Sequence, residues 1–148
     1  MLFLYNLIVQ IAGFLLKIAA LFSPKMKLFV EGRKLVFPVL EQKIKPTDKT
    51  IWFHAASLGE YEQGLPVIEK IKEQFPSHKI VLTFFSPSGY EVRKNNTVAD
   101  VTVYLPLDTQ KNAQNFLKLV HPDLVFFIKY EYWPNYLYEL KKRNTKTY

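Results

Sequence analysis

Four short apolar runs between residues 51 and 128 constrain the fold of this chain most strongly. They occupy 51–53, 80–85, 101–104 and 124–128. Each run is rich in β-branched or aromatic residues, and none alternates between apolar and polar positions. This pattern is typical of strands that are buried on both faces, as they are in a parallel sheet. The runs therefore predict a parallel β-sheet.

Amphipathic stretches separate the apolar runs. In 61–75 and 109–120, apolar residues recur at helical spacing opposite polar ones, and Pro134 suits the first turn of a further helix over 134–143. Repeated strand–helix–strand units predict an α/β domain, a Rossmann-like parallel sheet with flanking helices. Thr147 and Tyr148 resemble the opening of another strand. We therefore expect the chain to be part of a longer protein.

Residues 1–22 form an apolar segment with a single charge, Lys17. About 20 apolar residues suffice to cross a bilayer, and no basic region precedes Leu2 as it would in a signal peptide. A buried core helix is the remaining alternative. We interpret the segment as a membrane anchor that either spans the bilayer or lies in its interface, with Lys17 reaching the head groups.

A basic cluster follows this segment and predicts its orientation. The cluster consists of Lys25, Lys27, Arg33 and Lys34. Positive charge stays on the cytoplasmic side, so we expect the chain at the cytoplasmic face of the inner membrane. The sequence then divides into an anchor helix (1–22), a basic connecting segment (23–49) and an α/β domain (50–148).

Composition excludes several classes of function. The chain has no cysteine, and its three histidines are scattered, so no metal site is expected. The five glycines form no nucleotide-binding loop. The net charge of +7 suits nucleic acid, an anionic membrane or a phosphorylated substrate. Because no nucleic-acid recognition motif accompanies that charge, we expect no nucleic-acid partner.

Open parallel sheets bind ligands outside the carboxyl ends of their strands. The polar residues that the pattern brings to these ends are Ser57, Glu60, Ser86, Ser88, Asp108, Lys129 and Glu131. Two interpretations of Glu60 stay open. Ser57 and Glu60 match a helix capping box, but Pro66 would then lie well inside the helix. A helix that begins near Glu62 would leave Glu60 in a loop, where it could act as a base.

The other candidate residues also have two interpretations each. His54 and Ser57 lack a third group for a nucleophilic triad, so His54 is expected to be packed or hydrogen-bonded. The 86–89 stretch, SPSG, is either an anion-binding loop or an ordinary turn. Arg93 either binds phosphate or is solvated. Glu131 either belongs to the site or is a carboxylate at a helix N-terminus.

Three stretches together resemble a known family. They are "WFHAASLGEYEQGLPVIEKI", "VLTFFSPSGYE" and "YLPLDTQKNAQNFLKLVHPDLVFFIKYEYWPN". In order and spacing they are similar to the amino-terminal half of 3-deoxy-D-manno-octulosonic acid (Kdo) transferases, which are GT-B glycosyltransferases of lipopolysaccharide synthesis. The resemblance covers residues 1–148 when the anchor is included, and its most specific parts are the H-x-x-S-x-G-E loop and the E-x-W-P-N segment.

The resemblance implies a reaction. The family transfers Kdo from CMP-Kdo to a lipid A precursor, with inversion and without a metal or other cofactor. It implies that Glu60 is the general base that deprotonates the acceptor hydroxyl. The residues expected to bind substrate are Ser57, Gly59, Ser86, Ser88, Arg93, Lys129 and Glu131. The amino-terminal half of the family holds the acceptor, and the other half binds the donor, so this chain alone is expected to be inactive.

One departure from the family pattern affects the site. Many members read Glu-x-Glu-x-Trp-Pro where this chain has Lys129 in place of the first acid. A role of that first carboxylate cannot pass to Lys129, which we expect to meet an acceptor phosphate instead. The alternative to an enzyme is a non-catalytic, membrane-anchored α/β module that binds an anionic lipid or a partner.

Overall fold

A computed structural model describes residues 2–148 of the chain. Its helices are α1 (Leu2–Ala19), α2 (Pro24–Lys34), α3 (Val36–Lys43), α4 (Leu58–Gln74), α5 (Pro87–Arg93), α6 (Gln110–Val120) and α7 (Pro134–Lys142). Its strands are β1 (Lys49–Ala55), β2 (His78–Phe84), β3 (Val101–Tyr104), β4 (Leu124–Phe127) and β5 (Lys146–Thr147). The four predicted strands and the strand opening near residue 147 are confirmed.

The strands form one parallel sheet in the order β3-β2-β1-β4-β5. The predicted α/β fold with a parallel sheet and flanking helices is therefore confirmed. β1 lies at the centre and pairs with β2 on one side and β4 on the other. The strand order reverses between β1 and β4, which makes their carboxyl ends the topological switch point where open α/β sheets bind ligands.

The strands are apolar throughout because helices cover both faces of the sheet. On one face, the central ring of Trp52 packs against Phe116 of α6 and Tyr136 of α7, with ring centroids 4.8 and 5.6 Å apart. On the other face, Phe53 belongs to a core that includes Ile68 of α4. Successive residues of β1 thus point into different cores.

Residues 24–43 form two helices that pack on the sheet. Phe29 of α2 is buried, as are Val36 and Leu40 of α3. Val36 and Leu40 belong to the core that contains Trp52. The segment between the apolar N-terminus and β1 therefore contributes directly to the hydrophobic core.

Of the two open interpretations of Glu60, the helix that begins near Glu62 is not observed. α4 begins at Leu58 and continues through Pro66 to Gln74. A proline inside a helix leaves the carbonyl four residues earlier without its usual N–H donor. That residue is Glu62, and both Glu62 and Pro66 are exposed, so water can satisfy the carbonyl. Glu60 therefore lies in the first turn of α4, where the helix dipole favours a carboxylate.

The apolar helix α1 lies against the domain along one side only. Its inner side includes buried Gly13 and two polar residues that hydrogen-bond to the domain. The opposite side exposes large apolar side chains, among them Phe3 at 84%, Ile11 at 52% and Phe14 at 63% exposure. By length and composition, α1 is the one helix of the described chain that could cross a membrane.

Candidate active site at the carboxyl edge of the sheet

The loops after β1, β2 and β4 meet at the carboxyl edge of the sheet. The backbone N–H of Ser86, after β2, donates to the carbonyl of Ala56, after β1, at 2.8 Å. On the other side of β1, the N–H of Ile128, after β4, donates to the carbonyl of His54 at 2.9 Å. The central strand thus holds the two neighbouring loops in fixed positions, as the parallel sheet requires.

The carboxylate of Glu60 uses one of its two oxygens in a structural hydrogen bond, which leaves the other oxygen for a ligand. Its Oε2 accepts a hydrogen bond from the backbone N–H of Ala56 at 2.6 Å. Ser57 has the extended backbone of an N-cap residue, but its hydroxyl makes no capping bond. In the expected capping box, the Glu60 carboxylate would accept a hydrogen bond from the N–H of Ser57, and the Ser57 hydroxyl would accept one from the N–H of Glu60. The structure contains only the bond to the carboxylate, and its donor is Ala56 instead of Ser57. This bond orients the carboxylate and occupies one of its two oxygens.

His54 is fully buried at the end of β1, as expected for a packed histidine. Its Nδ1 lies 2.8 Å from the hydroxyl of Thr83, which accepts a hydrogen bond from the indole Nε1 of Trp52 at 2.8 Å. The hydroxyl proton of Thr83 is then available to Nδ1, since its alternative acceptor, the carbonyl of Phe53, is 3.4 Å away. We therefore assign the imidazole proton to Nε2.

The Nε2 atom of His54 faces a carboxylate. It lies 3.6 Å from Oε2 of Glu131, whose side chain is 17% exposed. At this distance the contact is electrostatic, and Nε2 is a buried atom without a hydrogen-bond partner among residues 2–148. Complete burial lowers the pKa of His54, and the carboxylates of Glu131 and Glu60 offset only part of that effect. The imidazole is therefore neutral at pH 7.

Glu131 does not lie at a helix N-terminus. α7 begins at Pro134, with Trp133 as its N-cap residue, so Glu131 belongs to the loop after β4. This loop also carries Lys129, which is exposed and has a left-handed backbone with φ of 66°. Tyr130 and Tyr132 flank Glu131 and are 90% and 78% exposed. The loop therefore presents an ammonium group and two aromatic rings to solvent beside a half-buried carboxylate.

The SPSG stretch begins a short helix without a side-chain capping bond. Ser86 is the N-cap residue of α5, and its hydroxyl lies 2.7 Å from that of Ser88. Gly89 is buried, and a Cβ at this position would come within 2.4 Å of the ring of Phe84. Gly89 therefore allows α5 to lie directly on β2, which brings both serines to the carboxyl edge.

Arg93 and Gly59, which were also predicted to bind substrate, differ in how accessible they are. Arg93 lies in the last turn of α5, where its guanidinium pairs with Glu62 through Nε, at 3.0 Å, and through Nη2. Gly59 is exposed in the first turn of α4, and a Cβ there would meet no atom within 4 Å. Glu62 thus neutralises Arg93, whereas the surface at Gly59 is open.

Two important residues were missing from the predicted site. Thr83 looks like an ordinary β-branched strand residue, although a hydroxyl in the middle of an apolar strand is a signal for a buried partner. Asp108 was noted only as a polar residue at a strand end. It is buried and accepts bonds from the backbone N–H groups of Asn135 and Tyr136 at 3.2 and 3.1 Å. Asp108 therefore caps α7.

Comparisons with known proteins relate this chain to one family. A family model described as 3-deoxy-D-manno-octulosonic-acid transferase (kdotransferase) matches residues 31–148. The chain is similar to proteins named 3-deoxy-D-manno-octulosonic acid transferase in Haemophilus influenzae, with 35% identity over 101 residues, and in Aquifex aeolicus, with 32% over 106. A protein of that name in Chlamydia trachomatis serovar D is 29% identical over 122 residues.

These alignments cover most of this chain but a small part of each relative. They include 67%, 71% and 81% of the chain, against 23%, 29% and 28% of the Haemophilus, Aquifex and Chlamydia proteins. The chain thus spans about a quarter of the length of the curated relatives that it matches. With the family model matched over all but the first 30 residues, the chain belongs to the 3-deoxy-D-manno-octulosonic-acid transferase family.

Proposed function

We propose that this chain is the acceptor-binding part of an inverting glycosyltransferase that moves Kdo from CMP-Kdo to a lipid A precursor. The observation that carries the proposal is the placement of two carboxylates at the switch point of the sheet: Glu60, bonded to the N–H of Ala56 after β1, and Glu131, 3.6 Å from the buried His54. A parallel sheet with carboxylates at this edge suits a reaction in which a sugar hydroxyl must lose a proton.

Glu60 is the proton acceptor in this mechanism. One carboxylate oxygen is held by the N–H of Ala56, and the other receives the proton of the acceptor hydroxyl. The hydroxyl oxygen attacks the anomeric carbon of Kdo from the face opposite CMP. The bond between that carbon and the phosphate oxygen breaks, and CMP leaves with the electron pair. The configuration at the anomeric carbon is thereby inverted.

The remaining predicted residues hold the acceptor. Ser57, Ser86 and Ser88 supply hydroxyl groups at the edge, and the open surface at Gly59 lets a sugar approach the backbone. Lys129 meets an acceptor phosphate, and Arg93 contributes when the acceptor competes with Glu62. Glu131 positions the acceptor sugar by accepting hydrogen bonds from its hydroxyl groups.

A part of the protein outside these residues binds the donor in this proposal. Its support is that the chain aligns with only about a quarter of each curated relative. The division of the chain is then an anchor (1–22), a basic segment (23–49) and an acceptor-binding domain (50–148). This chain alone lacks transferase activity, so the reaction is tested in the complete reading frame that contains it.

The decisive experiment measures Kdo transfer from CMP-Kdo to a lipid A precursor with Glu60→Gln. We expect transfer to fall by at least about a hundredfold, the usual contribution of a general base. Glu69→Gln is the matched control, because Glu69 is exposed on the same helix. Circular dichroism checks that both variants fold. Near wild-type transfer by folded Glu60→Gln would reduce Glu60 to a capping role and place the proton acceptor elsewhere in the protein.

We also propose that α1 lies flat in the interface of the inner membrane, at its cytoplasmic face, rather than crossing the bilayer. Its inner side is held by polar bonds: Tyr5 donates to Asp108 at 2.8 Å, and Asn135 donates to Asn6 at 2.9 Å. A helix that left the domain to cross the bilayer would have to break these bonds, whereas a helix lying flat keeps them and buries its outer apolar side.

Vesicle flotation tests this arrangement. The full chain should float with vesicles that contain phosphatidylglycerol, and protease added outside should still reach both ends of α1. Recovery of the chain in the soluble fraction, without detergent, would remove the membrane proposal. Protection of one end of α1 inside the vesicle would instead show that the helix spans the bilayer.

A further inference from the structure

A pocket of about 260 Å³ lies between α1, α2 and the segment that follows β3. Its walls are mainly apolar and include Leu16, Phe29, Phe37 and Leu107. None of the proposed catalytic or acceptor-binding residues at the carboxyl edge lines it. The pocket therefore adjoins the carboxyl end of β3 but shares no lining residue with the Glu60 site.

The charged residues of the pocket are all positive. Lys17 of α1 and Arg33 and Lys34 of α2 line it, and none of the described residues in its lining is acidic. Lys17 and Lys34 also line a second cavity, which continues to the exposed side chain of Leu21. Glu31 lines this second cavity and pairs with Lys34 at 2.8 Å, whereas Lys17 and Lys27 have no carboxylate partner among residues 2–148. The pocket thus opens along a mainly cationic groove towards the exposed apolar residues that follow α1, a combination that suits an anionic amphiphile.

Arg33 is a half-buried cation without a carboxylate partner among residues 2–148. Its guanidinium donates to the carbonyls of Phe29 and Phe85 at 2.9 and 2.7 Å, and its Nε is buried without a hydrogen-bond partner. Burial lowers the pKa of Arg33 to about 9. The ring centroids of Phe29, Phe85 and Tyr104 lie 3.5, 4.8 and 5.0 Å from the guanidinium carbon and offset part of the cost of burying the charge. A bound anion would reduce that cost further.

We propose that this pocket binds one anionic bilayer phospholipid. An acyl chain lies against the apolar walls, and the phosphate group lies among Lys17, Arg33 and Lys34. The bilayer is the source of the lipid because the groove leads to Leu21 just after the end of α1, whereas none of the proposed acceptor-binding residues lines the pocket. The inference rests on the proposed contact of α1 with the membrane, and it adds a specific lipid site to that contact.

The test uses the full chain in a non-ionic detergent. Dipalmitoyl-phosphatidylglycerol or dipalmitoyl-phosphatidylcholine is added at equal mole fractions, and native mass spectrometry measures the lipid retained. We expect one molecule of phosphatidylglycerol to be retained, with a rise in Tm, and little phosphatidylcholine. A bisphosphorylated glycolipid is added in a third sample at the same mole fraction. Equal retention of both phospholipids, or preferential retention of the glycolipid, would overturn the assignment.

Two variants locate the lipid. The double variant Lys17→Gln, Lys34→Gln should weaken phosphatidylglycerol retention by about fivefold per lysine. Lys25→Gln with Lys45→Gln removes the same charge from exposed positions outside the pocket and should leave retention unchanged. Val30→Phe fills the pocket and should abolish retention, whereas Leu28→Phe on exposed α2 surface should not.

Flotation with vesicles separates this inference from the membrane proposal. Val30→Phe should still float with phosphatidylglycerol vesicles, because the outer side of α1 is intact. A wild-type chain that floats but retains no phosphatidylglycerol in detergent would overturn the lipid site alone. A chain that retains the lipid but does not float would overturn membrane attachment through α1 and leave the site in place.

Discussion

The Nε2 atom of His54 lies 3.6 Å from the carboxylate of Glu131, across the point where the strand order of the sheet reverses. His54 ends the central strand, and Glu131 belongs to the loop after the neighbouring strand. The imidazole Nδ1 is hydrogen-bonded to the hydroxyl of Thr83, which in turn accepts a hydrogen bond from the indole N–H of Trp52. A chain of buried polar contacts thus runs from the core of the domain to a carboxylate at its edge.

Thr83→Val should destabilise the domain by about 1–3 kcal/mol. The substitution keeps the shape of the side chain but leaves the indole N–H of Trp52 and Nδ1 of His54 buried without their partner. Urea denaturation measures the change in the free energy of unfolding. Thr97→Val, at an exposed position, is the control and should change that free energy little. Equal stability of the two variants would contradict the network.

The domain should lose stability as the pH falls below about 6.5, the usual pKa of histidine. Burial lowers the pKa of His54 in the folded chain, so the unfolded chain binds the proton more readily. The contribution of the neutral imidazole is complete above the unfolded pKa and is lost as the pH falls towards the folded one. His54→Gln should flatten this part of the curve of unfolding free energy against pH. A curve of unchanged slope would count against a neutral, buried imidazole.

Gly59→Ala and Gly89→Ala should separate function from folding. Gly89→Ala places a methyl group 2.4 Å from the ring of Phe84 and should destabilise the domain by about 1–3 kcal/mol. Gly59→Ala meets no neighbour and improves helix propensity, so stability should hold or rise by up to about 1 kcal/mol. Thermal unfolding gives the two stabilities.

The transferase assay on the same two variants then tests the acceptor site. We expect Gly59→Ala to raise the KM for the acceptor, because the methyl group occupies the surface that the acceptor sugar would approach. An unchanged KM in this stable variant would remove Gly59 from the proposed binding surface.

Lys129→Gly should stabilise the loop and weaken acceptor binding at the same time. Lys129 has a left-handed backbone conformation, which is about 1 kcal/mol less favourable for a non-glycine residue than for glycine. Loss of the ammonium group should raise the KM for a phosphorylated acceptor and leave kcat nearly unchanged. Lys129→Arg restores the charge and should restore the KM. An acceptor KM that is the same for all three chains would show that Lys129 meets no phosphate.

The elements of this fold follow from local patterns, and the site follows from topology. Uninterrupted apolar runs predicted four strands, and even the short β5 was visible in its last residues. The sequence did not decide the start of α4, because Pro66 normally breaks a helix interior, whereas here Glu62, whose carbonyl loses its donor, is exposed to solvent. Local patterns describe what each segment prefers, so they fail where solvent or a distant partner changes the balance.

Contacts between distant segments were not predictable in this way. No spacing in the sequence relates His54 to Glu131, or Tyr5 to Asp108, because each pair is brought together by the order of the strands and the docking of α1. The burial of Phe29, Val36 and Leu40 was not predicted either, because these few apolar residues lie in a segment with a basic composition. Sequence placed Glu60 at the correct edge but could not supply its partner at Ala56.

The reversal of strand order lets the two sides of the site vary independently. The loop after β1 enters α4 and one hydrophobic core, whereas the loop after β4 enters α7 and the other. Substitutions in separate cores tend to have additive effects. Changes around Lys129, Tyr130 and Tyr132 can therefore alter the exposed loop after β4 without disturbing the hydrogen bond that supports Glu60.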